Sequence, residues 1–233
     1  MNAKRTLATA VVLAAGAALA GTAQAADPRG TVTYMGRATT RIVGSDGTTI
    51  YIDPYASGDY TLPADLILVT HGHSDHNAVK KCALKAGGKI AGPAGSVGSN
   101  PAFEAIAEGQ RKTYGSVVVE ALPAYNSNHG RSSSLGFLIE IDGKKIYHAG
   151  DTSYIPEMEA LAPRGIDIAL LPCDGVFNMG PEEASKCAEA IKPARLIPIH
   201  SSGSGDNNIA QARKVAYPGL LVLAKGESAR LEP

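Results

Sequence analysis

The chain has 233 residues, 44% of them hydrophobic, and its 22 basic residues balance its 22 acidic residues. This length suffices for one domain with a substantial core, or for two small ones. Because no basic stripe or polybasic run is visible, the charge pattern argues against nucleic acid as a partner and against strong attraction to an anionic membrane.

The N-terminal segment has the pattern of a secretory signal peptide. Lys4 and Arg5 form a short basic region, residues 7–20 carry no charge, and Ala23-Gln24-Ala25 supplies the small-x-small pattern of a cleavage site. The apolar run is too short to span a bilayer comfortably, which favours cleavage over an uncleaved anchor. We therefore expect a signal peptide at 1–25 and a single domain at 26–233. The mature protein should be periplasmic or secreted, without a stable membrane anchor.

Three strands are expected at the start of the domain. Residues 31–34, 40–43 and 49–52 alternate between polar and apolar side chains or form apolar runs. Ser45-Asp46-Gly47 is a turn signal, so the second and third of these strands should form a hairpin.

A buried strand and a helix are predicted next. Residues 65–70 (DLILVT) are almost all apolar, as expected for a strand covered on both faces. Residues 75–85 have helical spacing, and Gly87-Gly88 is expected to end this helix. The glycines between 87 and 98 fit neither a phosphate loop nor a dinucleotide fingerprint, so this stretch is interpreted as an ordinary loop.

The second half of the chain alternates strands with a helix. Asp142-Gly143 is expected to form a hairpin turn. Pro181 followed by two glutamates predicts a helix that runs to about Ile191. The expected strands are 117–121, 134–141, 145–148, 166–171, 196–199 and 220–223. Two layered sheets with helices on the outside would satisfy this order, which indicates the α/β class.

Three cysteines, Cys82, Cys173 and Cys187, permit at most one internal disulfide in an oxidising compartment. Their spacing does not indicate which pair would join. The alternative, that all three are small buried hydrophobic residues, is at least as well supported.

The segment His71-Gly72-His73-Ser74-Asp75-His76 is the strongest functional signal in the sequence. It lies where the buried strand 65–70 ends. Four side chains of metal-ligand type within six residues are hard to explain structurally, because crowded imidazoles disfavour protonation and pack poorly. We interpret the segment as part of a metal site.

The other three histidines also lie at or beside the ends of predicted strands. His129 stands in PAYNSNHG, His148 in YHAGDT with Asp151 three residues later, and His200 ends LIPIH. Loops at strand ends are where α/β folds place their chemistry, so these residues are expected at the same site.

This order of motifs resembles the metallo-β-lactamase superfamily. Within that superfamily, the phrases TYMGRATTRI, IYIDP, VTHGHSDH, PAYN, IYHAGDT, ALLP, EEA and IPIH are similar, in order, to the branch of ascorbate-phosphate lactonase-like metal-dependent hydrolases. The resemblance covers residues 31–200. It implies an α/β (α+β) fold, namely a four-layer αββα sandwich, and a binuclear metal site.

The resemblance also implies a ligand set for two divalent metal ions. The first ion would be bound by His71, His73 and His129, and the second by Asp75, His76 and His200, with Asp151 bridging the two. Imidazoles and carboxylates suit zinc, which we expect, and manganese or iron are alternatives.

Three further residues are assigned supporting roles. Asp53, which ends IYID, matches an acidic residue behind the family's metal site, and a simple turn residue before Pro54 is the alternative. His148 is expected to orient the site from outside the ligand set, with a packed histidine as the alternative. Arg37 stands where the branch often has a histidine, so it is a candidate to face the site mouth and attract an anionic substrate.

The implied reaction is hydrolysis by a metal-bound hydroxide, oriented by Asp75, of an ester-type bond (a lactone or a phosphodiester) in a small molecule. No GxSxG motif occurs, so a serine nucleophile is disfavoured. Hydrolysis of a β-lactam and an inactive metal-binding protein are the alternatives. The sequence indicates neither the natural substrate nor the oligomeric state.

Overall fold

The computed structural model describes residues 27–232, which form thirteen strands, two α-helices and two 3-10 segments. The predicted signal peptide at 1–25 lies outside the described residues. The strands are β1 (Thr31–Gly36), β2 (Thr39–Val43), β3 (Thr49–Ile52), β4 (Ala64–Leu68), β5 (Leu84–Gly92), β6 (Phe103–Ala105), β7 (Arg111–Tyr114), β8 (Val117–Pro123), β9 (Leu135–Ile141), β10 (Lys144–His148), β11 (Ile168–Pro172), β12 (Arg195–Ile199) and β13 (Ser228–Arg230). The helices are α1 (Pro181–Ile191) and α2 (Ile209–Ala212), and the 3-10 segments are Val79–Lys81 and Pro156–Arg164.

The strands form two sheets. The first has seven strands in the order β13-β1-β2-β3-β4-β5-β6, and the second has six in the order β12-β11-β10-β9-β8-β7. Strands β3 to β6 run parallel to one another, as do β10, β11 and β12. The remaining pairs of neighbours are antiparallel.

The main core lies between the two sheets. Alternation along β4 shows how the sequence builds it, because Leu66 and Leu68 face the other sheet while Ile67 faces outward. Facing them, Phe137 and Ile139 of β9 belong to the same buried cluster. Both faces of β4 are covered, which confirms the prediction of a buried strand.

Helical elements cover the outer faces unequally. On the six-stranded sheet, Met158 and Leu161 of the long 3-10 segment pack with Cys187 and Ile191 of α1 over the outward side chains. On the seven-stranded sheet, the helical cover shrinks to the turn Val79–Lys81. The α/β class with two stacked sheets is confirmed, although one outer helical layer is thin. No helix in the described part of the chain is long and apolar enough to cross a membrane.

The predicted helix at 75–85 is wrong. The segment makes only a turn at 79–81 and enters β5 at Leu84. Its main-chain groups bond to other parts of the molecule, as when the Ala78 N–H donates to the Pro54 carbonyl. The residue Cys82 is already extended, so the chain runs on as a strand.

The loop predicted across the glycine-rich stretch is wrong for its first part, because residues 84–92 form β5. Gly87 has a positive φ of 80°, and a Cβ at Gly88 would lie 2.9 Å from the Ala64 carbonyl. The two glycines therefore permit an irregular pairing with β4, and this irregularity hid the strand from the sequence pattern.

The predicted strand at 220–223 is reduced to an isolated bridge between Leu196 and Leu220. Leu196 donates to Gly219 and accepts from Leu221. The next donor along β12 would be Pro198, which has no N–H, so the ladder stops there.

Candidate metal centre

The predicted ligands meet at one edge of the sandwich, where several strands end. His71 to His76 follow β4 of the seven-stranded sheet. His129, Asp151 and His200 follow β8, β10 and β12 of the six-stranded sheet. Within the six-stranded sheet, β8, β10 and β12 run in the same direction, so their carboxyl ends lie at one edge. The carboxyl end of β4 lies at the same edge of the sandwich, and the side chains that follow these strands meet there.

Three groups of potential ligand atoms form there, and the atoms of each group lie within 4.8 Å of one another. They are His71, His73 and His129; His71, His76 and Asp151; and Asp75, His76 and His200. The structure thus brings together all seven residues that the sequence singled out as ligands.

Asp151 lies between two of these groups, with His71, His73 and His129 on one side and Asp75, His76 and His200 on the other. Its Oδ2 atom is 3.4 Å from Nε2 of His129 on one side, and 3.4 Å from Nε2 of His76 and 3.6 Å from Nε2 of His200 on the other. The Asp151 carboxylate therefore contacts the Nε2 atoms of histidines from both groups.

Four of the histidines share one arrangement, in which Nδ1 contacts an oxygen atom and Nε2 is left for the centre. For His71 the partner is Thr70 Oγ1 at 3.0 Å, and this hydroxyl in turn donates to Asp53 Oδ2 at 2.7 Å. The other partners are Asp53 for His76 (2.8 Å), Asn126 for His129 (2.9 Å) and Asp174 for His200 (2.8 Å). For His71, His76 and His129 the oxygen can accept a hydrogen bond from Nδ1, which leaves the lone pair of Nε2 facing inward, as metal-binding histidines require. Nε2 of His71 lies 3.0 Å from Nδ1 of His73, within the same group. Nδ1 of His200 lies at contact distance from Asp174 without hydrogen-bond geometry.

The donor set fits divalent cations. His76 Nε2 and Asp151 Oδ1 are buried and have no hydrogen-bond partner within the described residues. Such atoms are costly to leave unsatisfied, and a cation would satisfy both. Without a cation, protonated histidines must supply the positive charge that balances the buried carboxylates.

The pKa values of the site reflect this demand for positive charge. Burial opposes protonation of His200, but Asp151 and Asp174 raise its pKa to about 9. Burial also opposes protonation of His76, yet Asp151 and Asp53 raise its pKa well above the usual value. His71 behaves in the opposite way, because burial and the nearby His76 lower its pKa to about 3.

Backbone strain is concentrated at the same edge. Five non-glycine residues in the described part of the chain have positive φ, and three of them are Arg37 (56°), Asp53 (48°) and His200 (42°). Such conformations cost energy and persist where surrounding contacts hold them. Here the N–H of His200 donates to the carbonyl of Arg37 at 2.6 Å, which ties two of the strained residues together.

The Arg37 side chain extends to the site, where its guanidinium group is bound by other residues of the chain. Its Nε and Nη2 atoms lie 3.0 and 2.9 Å from Oδ2 of Asp75, and Nη1 donates to the Ser202 carbonyl at 3.2 Å. Although burial opposes it, contacts with His200, His76 and Arg37 hold the pKa of Asp75 below its usual range. Arg37 thus positions a carboxylate of the site, and its role toward an anionic substrate stays a prediction.

Asp53 and His148 are both fully buried behind the ligands. Asp53 contacts His76 and accepts from the main-chain N–H of Thr70 at 2.7 Å. His148 donates from Nε2 to the Ala38 carbonyl at 3.0 Å and accepts from the Gly150 N–H at 3.2 Å. His148 therefore fixes the turn before Asp151 through main-chain hydrogen bonds.

Asp174 and Asn126 were missed in the sequence. Both follow strands, in LLPCDG after β11 and in PAYN after β8. The position of Asp174 after a buried strand was a usable signal. Its pairing with His200 could not be inferred, because it depends on how β11 and β12 lie side by side.

The three cysteines are free and buried, as in the interpretation of them as small hydrophobic residues. A cavity of about 210 Å³ opens beside the group of His71, His73 and His129, and Asn128 and Ser133 also line it. Its volume suits a small ligand group.

Comparison with known proteins places this site in a family. A profile of the Beta-lactamase superfamily domain matches residues 31–200. The chain is 39% identical over 189 residues to a UPF0173 metal-dependent hydrolase of Thermococcus onnurineus, with 72% of this chain and 83% of the relative covered. It is 34% identical to a UPF0173 metal-dependent hydrolase of Thermus thermophilus, with 86% and 99% covered.

Solved structures agree. A crystal structure from Parabacteroides distasonis, described as a metal-dependent hydrolase, has a TM-score of 0.70 and 31% identity, and the match covers 82% of this chain and 90% of that one. The metallo hydrolase Igni18 of Ignicoccus hospitalis has a TM-score of 0.67 at 23% identity, with 85% and 97% covered, which supports the fold. The chain therefore belongs to the metallo-β-lactamase superfamily, in a group whose curated members are named metal-dependent hydrolases.

Proposed function

We propose that this protein is a binuclear metal-dependent hydrolase that cleaves an ester-type bond, a lactone or a phosphodiester, in a small molecule. The position of Asp151 Oδ2, 3.4 Å from the inner nitrogens of both His129 and His76, carries the proposal. A single carboxylate oxygen within reach of two separate ligand groups is what a pair of neighbouring cations requires.

The two groups define the ligands. His71, His73 and His129 would hold one ion, and Asp75, His76 and His200 the other, with Asp151 shared. Mixed nitrogen and oxygen ligands suit zinc, and manganese or iron remain alternatives for the test.

When bound, the ions would activate a water molecule and polarise the bond to be cleaved. The residues of the chain supply position and charge. Arg37 engages Oδ2 of Asp75, and Oδ1, 3.8 Å from Nε2 of His76, is left for the site. We assign to the Asp75 carboxylate the hydrogen bond that orients the attacking water, in addition to its place among the ligands of the second ion. Asp53, Asn126 and Asp174 keep the imidazoles from rotating, so the ligand atoms need no rearrangement during turnover.

We further propose that the protein acts outside the cytoplasm, in a periplasm or in the medium. The support is the basic, apolar and small-residue order of residues 4–25. Expression of the full chain with fractionation of the cells tests this. The expected product begins at Ala26 and leaves the cytoplasm, whereas a product that keeps Met1 and stays inside would contradict the proposal.

The activity test uses purified protein loaded separately with zinc and manganese, with metal content measured. A chromogenic phosphodiester, a lactone and a β-lactam are offered, with and without a chelator. We expect turnover of the phosphodiester or the lactone, and its loss with the chelator and in Asp151→Ala. Glu182→Ala, at an exposed position of α1, is the control and should keep activity. Cleavage of the β-lactam alone, or no cleavage by protein that holds two metals, would contradict the proposed ester chemistry.

A further inference from the structure

Two exposed apolar side chains stand next to each other on the loop between β11 and α1. Among the described residues, three large hydrophobic side chains are exposed, namely Tyr55 (38%), Val176 (63%) and Phe177 (45%). Isolated exposed apolar residues are common, but an adjacent pair beside a functional site indicates a binding surface.

The loop that carries the pair is bonded to the partners of two site histidines. Asp174, which contacts His200, begins the loop. On the other side, the side-chain amides of Asn126 and Asn128 donate to the Phe177 carbonyl at 3.1 and 3.0 Å. Asn126 contacts His129, and Asn128 lines the cavity beside it. Val176 and Phe177 thus lie on a loop whose main chain is tied to residues at the rim of the candidate metal centre.

Hydrogen bonds to its main chain fix the loop, and these bonds do not involve the side chains of Val176 and Phe177. Oδ1 of Asp174 accepts from the main-chain N–H groups of Val176, Phe177 and Asn178 at 2.7, 2.9 and 3.0 Å. The side chains are therefore presented on a preformed support, and their truncation should leave the loop in place.

A second loop packs against Val176. A Cβ at Gly203 would lie 3.2 Å from Cβ of Val176, so glycine allows the 201–205 segment to approach closely. The same segment contacts Arg37, the partner of Asp75, through the Ser202 carbonyl. The 201–205 segment therefore contacts both Val176 and the arginine that engages Asp75.

We infer that Val176 and Phe177 form an apolar wall that determines substrate specificity, and that the substrate carries an alkyl or aryl group next to the bond that is cleaved. The inference rests on the proposed function. The centre itself is lined by imidazoles and carboxylates, which bind the polar reacting group. A ligand with a polar end and an apolar tail satisfies both surfaces, whereas a small polar ligand leaves the wall in water.

The test measures binding apart from turnover. Calorimetric titration of the metal-loaded protein with acetate, hexanoate and phenylacetate compares ligands that share a carboxylate and differ in apolar size. We expect hexanoate and phenylacetate to bind more tightly than acetate. In Phe177→Ala and Val176→Ser this advantage should fall roughly tenfold or more, with acetate unchanged. Phe177→Leu, which keeps an apolar side chain, should retain most of it.

Tyr55→Ala is the matched control, because Tyr55 is also exposed and its main-chain N–H is bonded to Thr39 instead of the loop. An equal loss in this variant, an equal loss for acetate, or no preference for the larger ligands would overturn the inference. Binding to neutral lipid vesicles that depends on Phe177, without a preference among the carboxylates, would also overturn it and assign the pair to a membrane surface.

Parallel kinetics separate this inference from the proposed chemistry. Esters of acetate, hexanoate and phenylacetate with one chromogenic alcohol are compared by kcat/KM in the same variants. If all three are cleaved and the preference survives Phe177→Ala, the wall is wrong and the hydrolase stands. If phenylacetate binding depends on Phe177 but no ester is cleaved, the wall stands and the ester chemistry is wrong.

Discussion

Nδ1 of His76 lies 2.8 Å from Oδ2 of Asp53, and both side chains are completely buried. With a cation in the centre, this carboxylate would hold the imidazole proton on Nδ1 and leave the lone pair of Nε2 for coordination. The tautomer of this candidate ligand would thus be set by a residue outside the proposed ligand set.

Asp53→Asn should weaken metal binding by roughly 10- to 100-fold. An amide nitrogen at this position would donate to Nδ1 and move the imidazole proton to Nε2, where it blocks coordination. Competition with a chromogenic chelator measures the affinity. Asp167→Asn, at the residue before β11, is the control and should bind metal normally. Unchanged affinity in Asp53→Asn would show that this contact does not set the tautomer.

Asp151→Ala should reduce the metal content from two ions per chain to one or fewer. Its Oδ2 atom contacts both ligand groups, so its removal takes a ligand from each. Metal analysis of the purified variant gives the number directly. Retention of two tightly bound ions would rule out a bridging role.

Asp174→Asn should weaken one of the two ions selectively. The remaining oxygen of Asn can still accept from the loop N–H groups, but its amide cannot accept from Nδ1 of His200. Stepwise metal titration should show one site of normal affinity and one weaker by roughly 10-fold or more. A uniform loss at both sites would indicate a general structural effect instead.

The stability of metal-free protein should fall as the pH rises from 7 to above 9. The pKa of His200 is raised from 6.5 to about 9 in the folded state. Protonation of this residue therefore stabilises the fold below pH 6.5, and the contribution is lost as the pH rises through 9. The lowered pKa of His71 acts only below pH 6.5, outside this interval.

Thermal unfolding of chelator-treated and metal-loaded protein measures this dependence. Metal-loaded protein should have a higher Tm and a smaller decrease over the same interval, because a cation replaces the protons. A metal-free protein that becomes more stable between pH 7 and 9 would contradict the assignment of charge to His200.

The three cysteines should remain thiols in protein purified without reductant. Burial raises the pKa values of Cys82, Cys173 and Cys187 to about 12, so they are protonated and unreactive while the protein is folded. A thiol reagent should label almost none in the folded state and three after unfolding. Labelling of one thiol after unfolding would reveal a disulfide.

The sequence predicted the ligand cluster and most long strands because their signals are local. The six residues from His71 to His76 contain four side chains of metal-ligand type, and residues 65–70 are almost all apolar. The branch within the superfamily stays a prediction.

What the sequence did not reveal depends on contacts between distant segments. The helix expected at 75–85 is replaced because Pro54 and the β4 edge take up the main chain of this segment. Asp174 lies at the site because β11 and β12 are paired in parallel, which places it beside His200. Local patterns carry no information about such neighbours.

The ligand groups come from both sheets, and this has a consequence for folding. The segment from His71 to His76 belongs to the seven-stranded sheet, while His129, Asp151 and His200 belong to the other. Neither half of the chain can assemble a high-affinity site alone. Cation binding at this centre would therefore hold the two sheets together, so that opening of one sheet from the other would first have to release the cation. The rate of metal exchange would then measure how rarely the two sheets separate.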